Sequence, residues 1–242
     1  LESEIVFGTV DRLHEVVSSL EAEGKPVAVV NTCIPALTGE DLANAFEGTN
    51  AVFVDSPGFS GNAEAGVKAA YSALDIDTAD VSAVNVDGVC GLDLFARGNL
   101  HEARRMLSVL GIPVRLSLAA DSYSKLKDGA APFSVSVNPA WDSGVGESLG
   151  SFLFLDIKDT MSALEKRFPD ADYAALEDEW KKADETMFYY ADKYLRKYTP
   201  PVSAVAGQGS YCRFAEAMLT RYFGSDIAVS LPREEVTDFT NE

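Results

Sequence analysis

Basic residues are scarce in this 242-residue chain, which has 20 Lys and Arg against 38 Asp and Glu and a formal net charge of −18. Such an acidic surface repels phosphate groups, so nucleic acid and anionic membranes are excluded as default partners. No apolar run approaches the roughly 20 residues that span a bilayer, and no membrane helix is expected. The opening also lacks a basic stretch followed by an apolar one, so no signal peptide is predicted.

Cysteine and histidine are also rare, and those present form no recognisable site. Cys33, Cys90 and Cys212 are odd in number and far apart, so a disulfide framework is excluded and a reducing, cytoplasmic location is expected. The two histidines, His14 and His101, lack the spacing of a metal-binding pair. There is no Gly-Lys-Ser or Gly-Lys-Thr phosphate loop and no persuasive Ser/His/Asp order. These absences leave disulfide scaffolds, P-loop nucleotide hydrolases and serine hydrolases without support.

What is present is an alternation of short apolar runs with segments of helical spacing. The runs are nearly all apolar, which is typical of parallel strands covered on both faces. The predicted strands are Val27–Thr32, Ala51–Asp55, Val81–Asp87, Val114–Leu118, Phe133–Val137, Phe152–Ile157, Val202–Gly207 and Ile227–Leu231. The predicted helices are Asp11–Glu23, Asp41–Phe46, Ala63–Leu74, Leu100–Leu110, Lys158–Phe168, Tyr173–Lys197 and Tyr211–Phe223. The pattern predicts an α/β fold with Rossmann-like parallel sheets flanked by helices, in which Val27–Thr32 is a central buried strand.

A long helix divides the chain in two. The segment Tyr173–Tyr198 is charged and rich in aromatic residues, and Pro200-Pro201 ends it directly before a new strand. We therefore predict one Rossmann-like α/β domain over residues 1–199 and the start of a further Rossmann-like domain over residues 200–242. With about 40 residues, the second part is too small to bury a good core alone, so it is expected to pack on the first domain or to belong to a larger one.

The segment Asn31-Thr-Cys-Ile-Pro-Ala-Leu-Thr-Gly-Glu-Asp-Leu42 follows the first predicted strand, and a helix is expected to begin after Gly39. Cys33 is therefore placed in a loop at the carboxyl end of a strand, the edge at which open α/β sheets bind ligands. A thiolate in that position suits iron, a metal that accepts soft ligands. A lone free cysteine is more often an inert core residue, so the motif needs support from its neighbours.

A second loop at a strand end, Asp55-Ser-Pro-Gly-Phe-Ser-Gly-Asn62, opens a predicted helix. Its glycines allow the backbone to approach a ligand or another chain closely. Because neighbouring parallel strands bring their carboxyl ends to one edge of the sheet, we expect Cys33 to lie close to Pro57, Gly58 and Phe59.

Three segments in a fixed order carry a family resemblance. Glu4-Ile-Val-Phe-Gly-Thr9 with the helix after it is similar to a VFGG…L entry segment, and the Cys33 segment to S/T-T-C…L-I-G-D-D. Ser56-Pro-Gly-Phe-Ser-Gly61, followed by Gly66, is similar to SPGF-x-G…G. All three resemble the nitrogenase component 1 superfamily, and most closely its alpha-type, NifE-like cofactor-maturation scaffolds. The likeness is best over residues 4–75, and residues 202–230 resemble the start of the family's third Rossmann-like domain.

The resemblance implies part of an oxidoreductase subunit, shortened at both ends, that serves substrate reduction or iron–molybdenum cofactor assembly. It implies a heterotetramer with a homologous second component 1 subunit, and an ATP-dependent iron–sulfur reductase as electron donor. Cys33 falls on the family's cysteine ligand to the iron–sulfur cluster between subunits. The loop expected near the edge of that cofactor consists of Pro57, Gly58, Phe59 and Gly61. The family's other cluster cysteines lie upstream, so no cluster and no activity are expected in this chain alone, because a cluster takes about four thiolates.

A second hypothesis belongs to a different functional class. Small-molecule binding modules of the periplasmic-binding or sugar-nucleotide type also pair Rossmann-like domains, and the rhythm of strands and helices does not separate the two classes. The three motifs, and not the fold pattern, favour the component 1 hypothesis. The substrate is left open, as is the choice among nitrogenase, maturation scaffold and tetrapyrrole-reducing relative.

Overall fold

The computed structural model describes residues 8–46, 48–153 and 156–233 and divides the chain into two compact units, Leu1–Ile76 (unit 1) and Asp77–Glu242 (unit 2). Unit 1 contains α1 (Val10–Ala22), β1 (Ala28–Asn31), α2 (Cys33–Thr38), α3 (Leu42–Ala45), β2 (Val52–Asp55) and α4 (Ala63–Ala73). Unit 2 contains β3 (Val84–Asp87), α5 (Ala96–Val109), β4 (Val114–Ser117), α6 (Tyr123–Lys127), β5 (Phe133–Ser136), a 3₁₀ helix (Pro139–Trp141), β6 (Glu147–Ser151), α7 (Ile157–Arg167), α8 (Tyr173–Leu195), β7 (Val202–Gly207), α9 (Gly209–Phe223) and β8 (Asp226–Pro232). The predicted α/β fold with parallel sheets flanked by helices is confirmed.

Unit 1 is built on a small parallel sheet. Within its described residues β1 pairs only with β2, and the buried cluster beneath them consists of Val17, Val29 and Phe46. Burial alternates along β1, where Val29 is buried and Val30 is 54% exposed. The prediction of a central strand at Val27–Thr32 is therefore wrong for the described sheet, because an apolar run does not show whether one face or both are covered.

Unit 2 is organised around a four-stranded parallel sheet in the order β4-β3-β5-β6. All four residues of β3 are buried, including Asn85, which has no exposed surface. The Asn85 amide donates to the Ala131 carbonyl (2.9 Å) and to Ser134 Oγ (3.1 Å), and its oxygen accepts from the Ala131 N–H (2.9 Å). These bonds replace the water that the amide loses on burial, so a polar residue is tolerated at the centre of the sheet.

The main hydrophobic core lies against this sheet. Helix α5 contributes Leu107 and α7 contributes Leu164, both with no exposed surface. The rest of the buried cluster consists of Val84, Val86, Ala103, Met106, Leu110, Ile112, Val135, Val137, Leu149 and Leu176. Strand and helix residues interlock in one cluster, which gives unit 2 a large apolar interior.

One predicted strand of unit 2 is wrong. The run Phe152–Ile157 was expected to be a strand, whereas the strand is β6 (Glu147–Ser151) and Ile157 begins α7. Residues 154 and 155 lie outside the described residues. Phe152 and Ile157 both pack against the main core. The apolar character of the run thus comes from core contacts on either side of a strand-to-helix junction, and not from a strand.

The predicted and observed boundaries of helices agree well where the helical pattern in the sequence is long. Ala63–Leu74 and Tyr173–Lys197 were predicted, and the helices are Ala63–Ala73 and Tyr173–Leu195. Two short helices, α2 with six residues and α6 with five, were not predicted, because so few residues show little periodic pattern. In the part of the chain that the structure describes, no helix combines the length and the apolar composition needed to cross a bilayer.

The last strand–helix–strand segment is joined to the main sheet of unit 2 by a buried polar network. Asn138, which follows β5 and has no exposed surface, donates to Gln208 Oε1 (2.8 Å) and accepts from Ser210 Oγ (2.6 Å). Its amide also donates to Asp93 (2.8 Å), which in turn accepts from the Tyr211 hydroxyl (2.8 Å). These bonds hold the loop between β7 and α9 against the carboxyl end of β5. The domain boundary near Pro200 remains a prediction.

Candidate functional site

The candidate site of unit 1 begins where its two strands end. Strands β1 and β2 are parallel and in register, with Asn31 opposite Asp55. The Asn31 amide donates to Asp55 Oδ1 (2.7 Å), and the Ser56 N–H donates to the Asn31 carbonyl (3.3 Å). The loops after both strands therefore leave from the same edge of the sheet, the position at which α/β folds bind ligands.

Cys33 lies at this edge, although not in the loop that was predicted. It is the first residue of α2, directly after the extended residue Thr32. Pro35 falls in the first turn of this helix, where a proline has no hydrogen bond to lose. The helix expected after Gly39 is α3, which begins at Leu42. Cys33 still lies at the carboxyl end of β1, and the start of a helix holds its backbone more firmly than a loop would.

The structure brings Cys33 together with the second predicted motif. The Gly58 N–H donates to Cys33 Sγ over 3.1 Å, and a Cβ on Gly58 would lie 3.2 Å from that sulfur. A side chain at position 58 would thus crowd the thiol, which explains why glycine suits this position. Cys33 is half-buried and Pro57 is buried, whereas Phe59 is 60% exposed. The edge therefore presents a reachable thiol beside an exposed aromatic ring.

A cleft lies beside this loop, between the end of β2 and the start of α4. Its volume is about 410 Å³, and the predicted residues Pro57, Gly58 and Gly61 line it, whereas Phe59 does not. Asn62 caps α4 by accepting from the Ala65 N–H (2.9 Å). The lining consists largely of small residues and backbone, which leaves the peptide groups accessible to a neighbouring group.

A carboxylate fixes the segment that follows α2. Glu40 accepts from the N–H and the hydroxyl of Thr9, both at 2.7 Å, and from the Thr38 hydroxyl at 3.2 Å. The hydrogen bond from the Thr9 backbone N–H, followed by that from its side chain, lowers the pKa of Glu40 below its ordinary value of 4.5. Glu40 is therefore a structural anion that holds the start of α1 to the Cys33 segment.

The other two cysteines belong to unit 2. Cys90 and Cys212 are buried in unit 2, and the Cys212 thiol faces the Leu231 carbonyl at 3.9 Å. Within the described ranges, no three His, Cys, Asp or Glu side chains are grouped so as to hold a metal ion. One acceptor at the edge, Asn31 Oδ1, is buried without a hydrogen-bond partner among the described residues. Such an orphan atom is uncommon in folded proteins and marks a place where a partner group is expected.

The sequence did not predict the contacts that three residues of the site make. Asn31 and Asp55 join the two strand ends, and Glu40 joins the Cys33 segment to Thr9. A signal was available for the first two, because each is the polar residue that ends an apolar run. The role of Glu40 depends on a contact across 31 positions, which no local pattern reveals.

Comparisons with known proteins agree on one family. The family described as nitrogenase component 1 type oxidoreductase matches residues 1–147. The nitrogenase iron-molybdenum cofactor biosynthesis protein NifE of Clostridium pasteurianum is 31% identical over 131 residues, which are 50% of this chain and 29% of that protein. A solved structure, nitrogenase Cp1 at pH 5, superposes with a TM-score of 0.64 at 20% identity and covers 98% of this chain and 54% of its own. The chain thus spans under a third of the NifE relative and about half of the solved chain.

Proposed function

The chain belongs to the nitrogenase component 1 type oxidoreductase family, and we propose that it is the middle part of an alpha-type, NifE-like subunit. In this role it serves iron–molybdenum cofactor assembly and accepts electrons from an ATP-dependent iron–sulfur reductase. The observation that carries the proposal is the hydrogen bond from the Gly58 N–H to Cys33 Sγ, because it joins the two sequence motifs in one place.

Cys33 has the features required of one cluster ligand. Its sulfur is half-buried, so a partner group can reach it, and its backbone is held at the start of α2. Hydrogen bonds to cysteine sulfurs are among the features that set the reduction potential of an iron–sulfur cluster. The Gly58 N–H is positioned to supply such a bond to a ligating thiolate.

The chain's own residues do not fit a complete cluster. A cluster takes about four cysteine ligands, and Cys33 is the one cysteine of unit 1. Cys90 and Cys212 are buried in the other unit. We therefore propose that Cys33 is one ligand of a cluster between subunits and that the remaining ligands come from outside these 242 residues. A bound cluster would supply electron transfer, while this chain contributes a thiolate and a backbone donor.

The surroundings of Cys33 are suited to being covered by another protein surface. Ile34 is 59% exposed, Leu37 is 75% exposed and Phe59 is 60% exposed. Large apolar side chains that cluster on a surface mark interaction sites more often than single ones do. The proposed occupant is the homologous second component 1 subunit of a heterotetramer. The relatives named above favour this reading over the small-molecule binding module.

The proposal is tested in the full-length subunit that contains these residues, purified anaerobically with its homologous partner. Iron and acid-labile sulfide are measured in the complex for the native protein and for Cys33→Ala. We expect the substitution to remove most of the cluster iron, since a lost thiolate opens one coordination position. The 242-residue chain alone is expected to bind no stoichiometric iron.

The matched control is Cys90→Ala, which removes a buried thiol of unit 2. This variant should keep its iron and sulfide. Equal iron content in the native complex and in Cys33→Ala would show that Cys33 is not a ligand and would remove the chemical basis of the proposal.

A further inference from the structure

Unit 2 contains a large cavity that the proposed function does not use. It lies between helices α5, α7 and α8 and has a volume of about 570 Å³. Met106 and Leu176 of the main core form part of its wall, together with Ile157 and Met161. Sites for small molecules have volumes of about 300 to 1,000 Å³ and mostly apolar linings, so both the size and the lining are suitable for a ligand.

Aromatic residues line one side of the cavity. Trp180 is partly exposed there, and the Lys158 ammonium lies 4.5 Å from the centre of its ring. The Lys158 ammonium therefore covers one face of the indole, and Trp180 contributes apolar surface to the cavity. The Tyr173 hydroxyl is turned to the Phe168 carbonyl (3.1 Å). Burial and, to a smaller extent, the charge of Glu165 raise the pKa of Tyr173 to about 12. The Tyr173 side chain is therefore uncharged near neutral pH.

The polar rim of the cavity is acidic, with four carboxylates against two cations. Arg105 donates to Glu102 (2.7 Å) and to Glu179 (2.5 Å), so its charge is already shared between two carboxylates. Glu165 and Glu177 form no ion pair or hydrogen bond with any residue that the structure describes. The rim therefore has two carboxylates whose charge is not matched, above an apolar and aromatic interior.

We infer that this cavity binds a small apolar molecule that carries one amino or quaternary ammonium group. The apolar part is buried against Met161 and Leu176, and the cation lies at the rim beside the unmatched carboxylates of Glu165 and Glu177. A fatty acid or a nucleotide is disfavoured, because its anion would face Glu165 and Glu177 in a site of low polarity. The inference does not depend on Cys33 or on cluster binding, so each can fail without the other.

Three probes of equal shape test the charge requirement: 4-phenylbutylamine, 4-phenylbutanol and 4-phenylbutyrate. Each is titrated into the protein by calorimetry, and tryptophan fluorescence, to which Trp180 and the buried Trp141 contribute, is followed in parallel. We expect saturable binding of the amine at one site per chain, binding of the alcohol about fivefold weaker, and no measurable binding of the butyrate. Binding of the butyrate as tight as that of the amine, or no saturable binding of the amine, overturns the inference.

Two kinds of variant locate the site. Ala183→Phe fills the cavity from its exposed side of α8 and should abolish binding of the amine and of the alcohol. The double variant Glu165→Gln, Glu177→Gln should weaken the amine about fivefold and leave the alcohol unchanged, since exposed ion pairs contribute about 0.5 kcal/mol each. Glu185→Gln, an exposed position on the same helix that does not line the cavity, is the control and should change neither. An amine that binds all variants equally is binding elsewhere, which refutes the assignment.

Discussion

In unit 2, a four-stranded parallel sheet buries Val84, Val86 and Val135 completely, whereas the described sheet of unit 1 has two strands and leaves Val30 54% exposed. The polar residues differ in the same way. Buried Asn85 of unit 2 has partners for its amide hydrogens and oxygen, whereas Asn31 of unit 1 has an amide oxygen without a described partner.

The sheet of unit 2 thus consists of residues that pack in a closed core, whereas the described sheet of unit 1 leaves apolar and polar groups accessible. The region with the strongest motifs, including Cys33, has the smaller buried cluster among its described residues. The region with the weaker motifs has the larger core and two buried thiols. A surface that is completed by another protein has fewer internal contacts of its own, so the small core among the described residues of unit 1 is consistent with its proposed role.

The largest expected difference between the units comes from replacing one leucine in each of them by alanine. Leu107→Ala in unit 2 should lower the free energy of unfolding by about 3 to 4 kcal/mol, because it leaves a cavity in a closed core. Leu37→Ala in unit 1 removes a side chain that is 75% exposed and should change stability by less than about 0.5 kcal/mol. Amide hydrogen exchange measures the protection of each unit separately. Similar losses in the two variants would mean that the cores do not differ as described.

A second pair compares two glycines. Gly88 in unit 2 has φ +75°, and a Cβ there would lie 2.5 Å from the Asn138 carbonyl oxygen. Gly88→Ala should therefore cost about 2 to 3 kcal/mol, from the strained backbone and the collision. Gly58→Ala should cost less than about 1 kcal/mol, since the neighbouring thiol is a side chain that can move. Urea unfolding followed by tryptophan fluorescence measures the first and hydrogen exchange the second. An unchanged midpoint for Gly88→Ala would contradict the described close approach.

A smaller effect, of opposite sign in the two units, concerns pH. Burial raises the pKa of Asp87 in unit 2 above 3.8, although hydrogen bonds from Ser143 and Gly88 act against it. A raised folded pKa gives stability that is complete below the unfolded pKa and is lost as pH rises through the folded pKa. Glu40 in unit 1 has a lowered pKa, so its contribution is present above 4.5 and is lost as pH falls through the folded pKa.

Asp87→Asn and Glu40→Gln test these signs. The stability of the native protein relative to Asp87→Asn should fall as pH rises above about 3.8, whereas its stability relative to Glu40→Gln should fall as pH is lowered below about 4.5. Unfolding free energies of both pairs, measured at several pH values, give the comparison. The same sign of pH dependence in both pairs would refute the account of one of the two carboxyl groups.

The sequence predicts the parallel α/β plan because buried parallel strands leave apolar runs, such as Val81–Asp87, which contains the fully buried strand Val84–Asp87. It does not predict Glu147–Ser151, which has only one strongly apolar residue, Leu149. Gly146 and Gly150 adopt positive φ values beside and within this strand, and glycine and serine there resemble a loop pattern. The strand exists because β5 supplies a pairing partner, a tertiary effect that local patterns do not contain.

The candidate site is predictable to a similar extent. That Cys33 and Gly58 are neighbours follows from parallel strands that end at one edge. The helical start at Cys33 does not follow, because the residues Thr32-Cys33-Ile34-Pro35 have low helix propensity and do not predict the helix Cys33–Thr38. The cavity at Trp180 is not predictable either, since the neighbouring helices α7 and α8 form it together with α5, which is distant from them in the sequence.

The most direct test of the central claim is alkylation of the thiols by iodoacetamide, followed residue by residue with mass spectrometry. In the folded chain alone, Cys33 should react at least about tenfold faster than Cys90 and Cys212, because half-buried thiols react and buried ones do not. In the full-length subunit assembled anaerobically with its partner, Cys33 should become protected while the other two are unchanged. If Cys33 stays unmodified in the free chain while Cys212 is labelled, or if assembly leaves the rate at Cys33 unaltered, Cys33 is not the ligand at a covered edge.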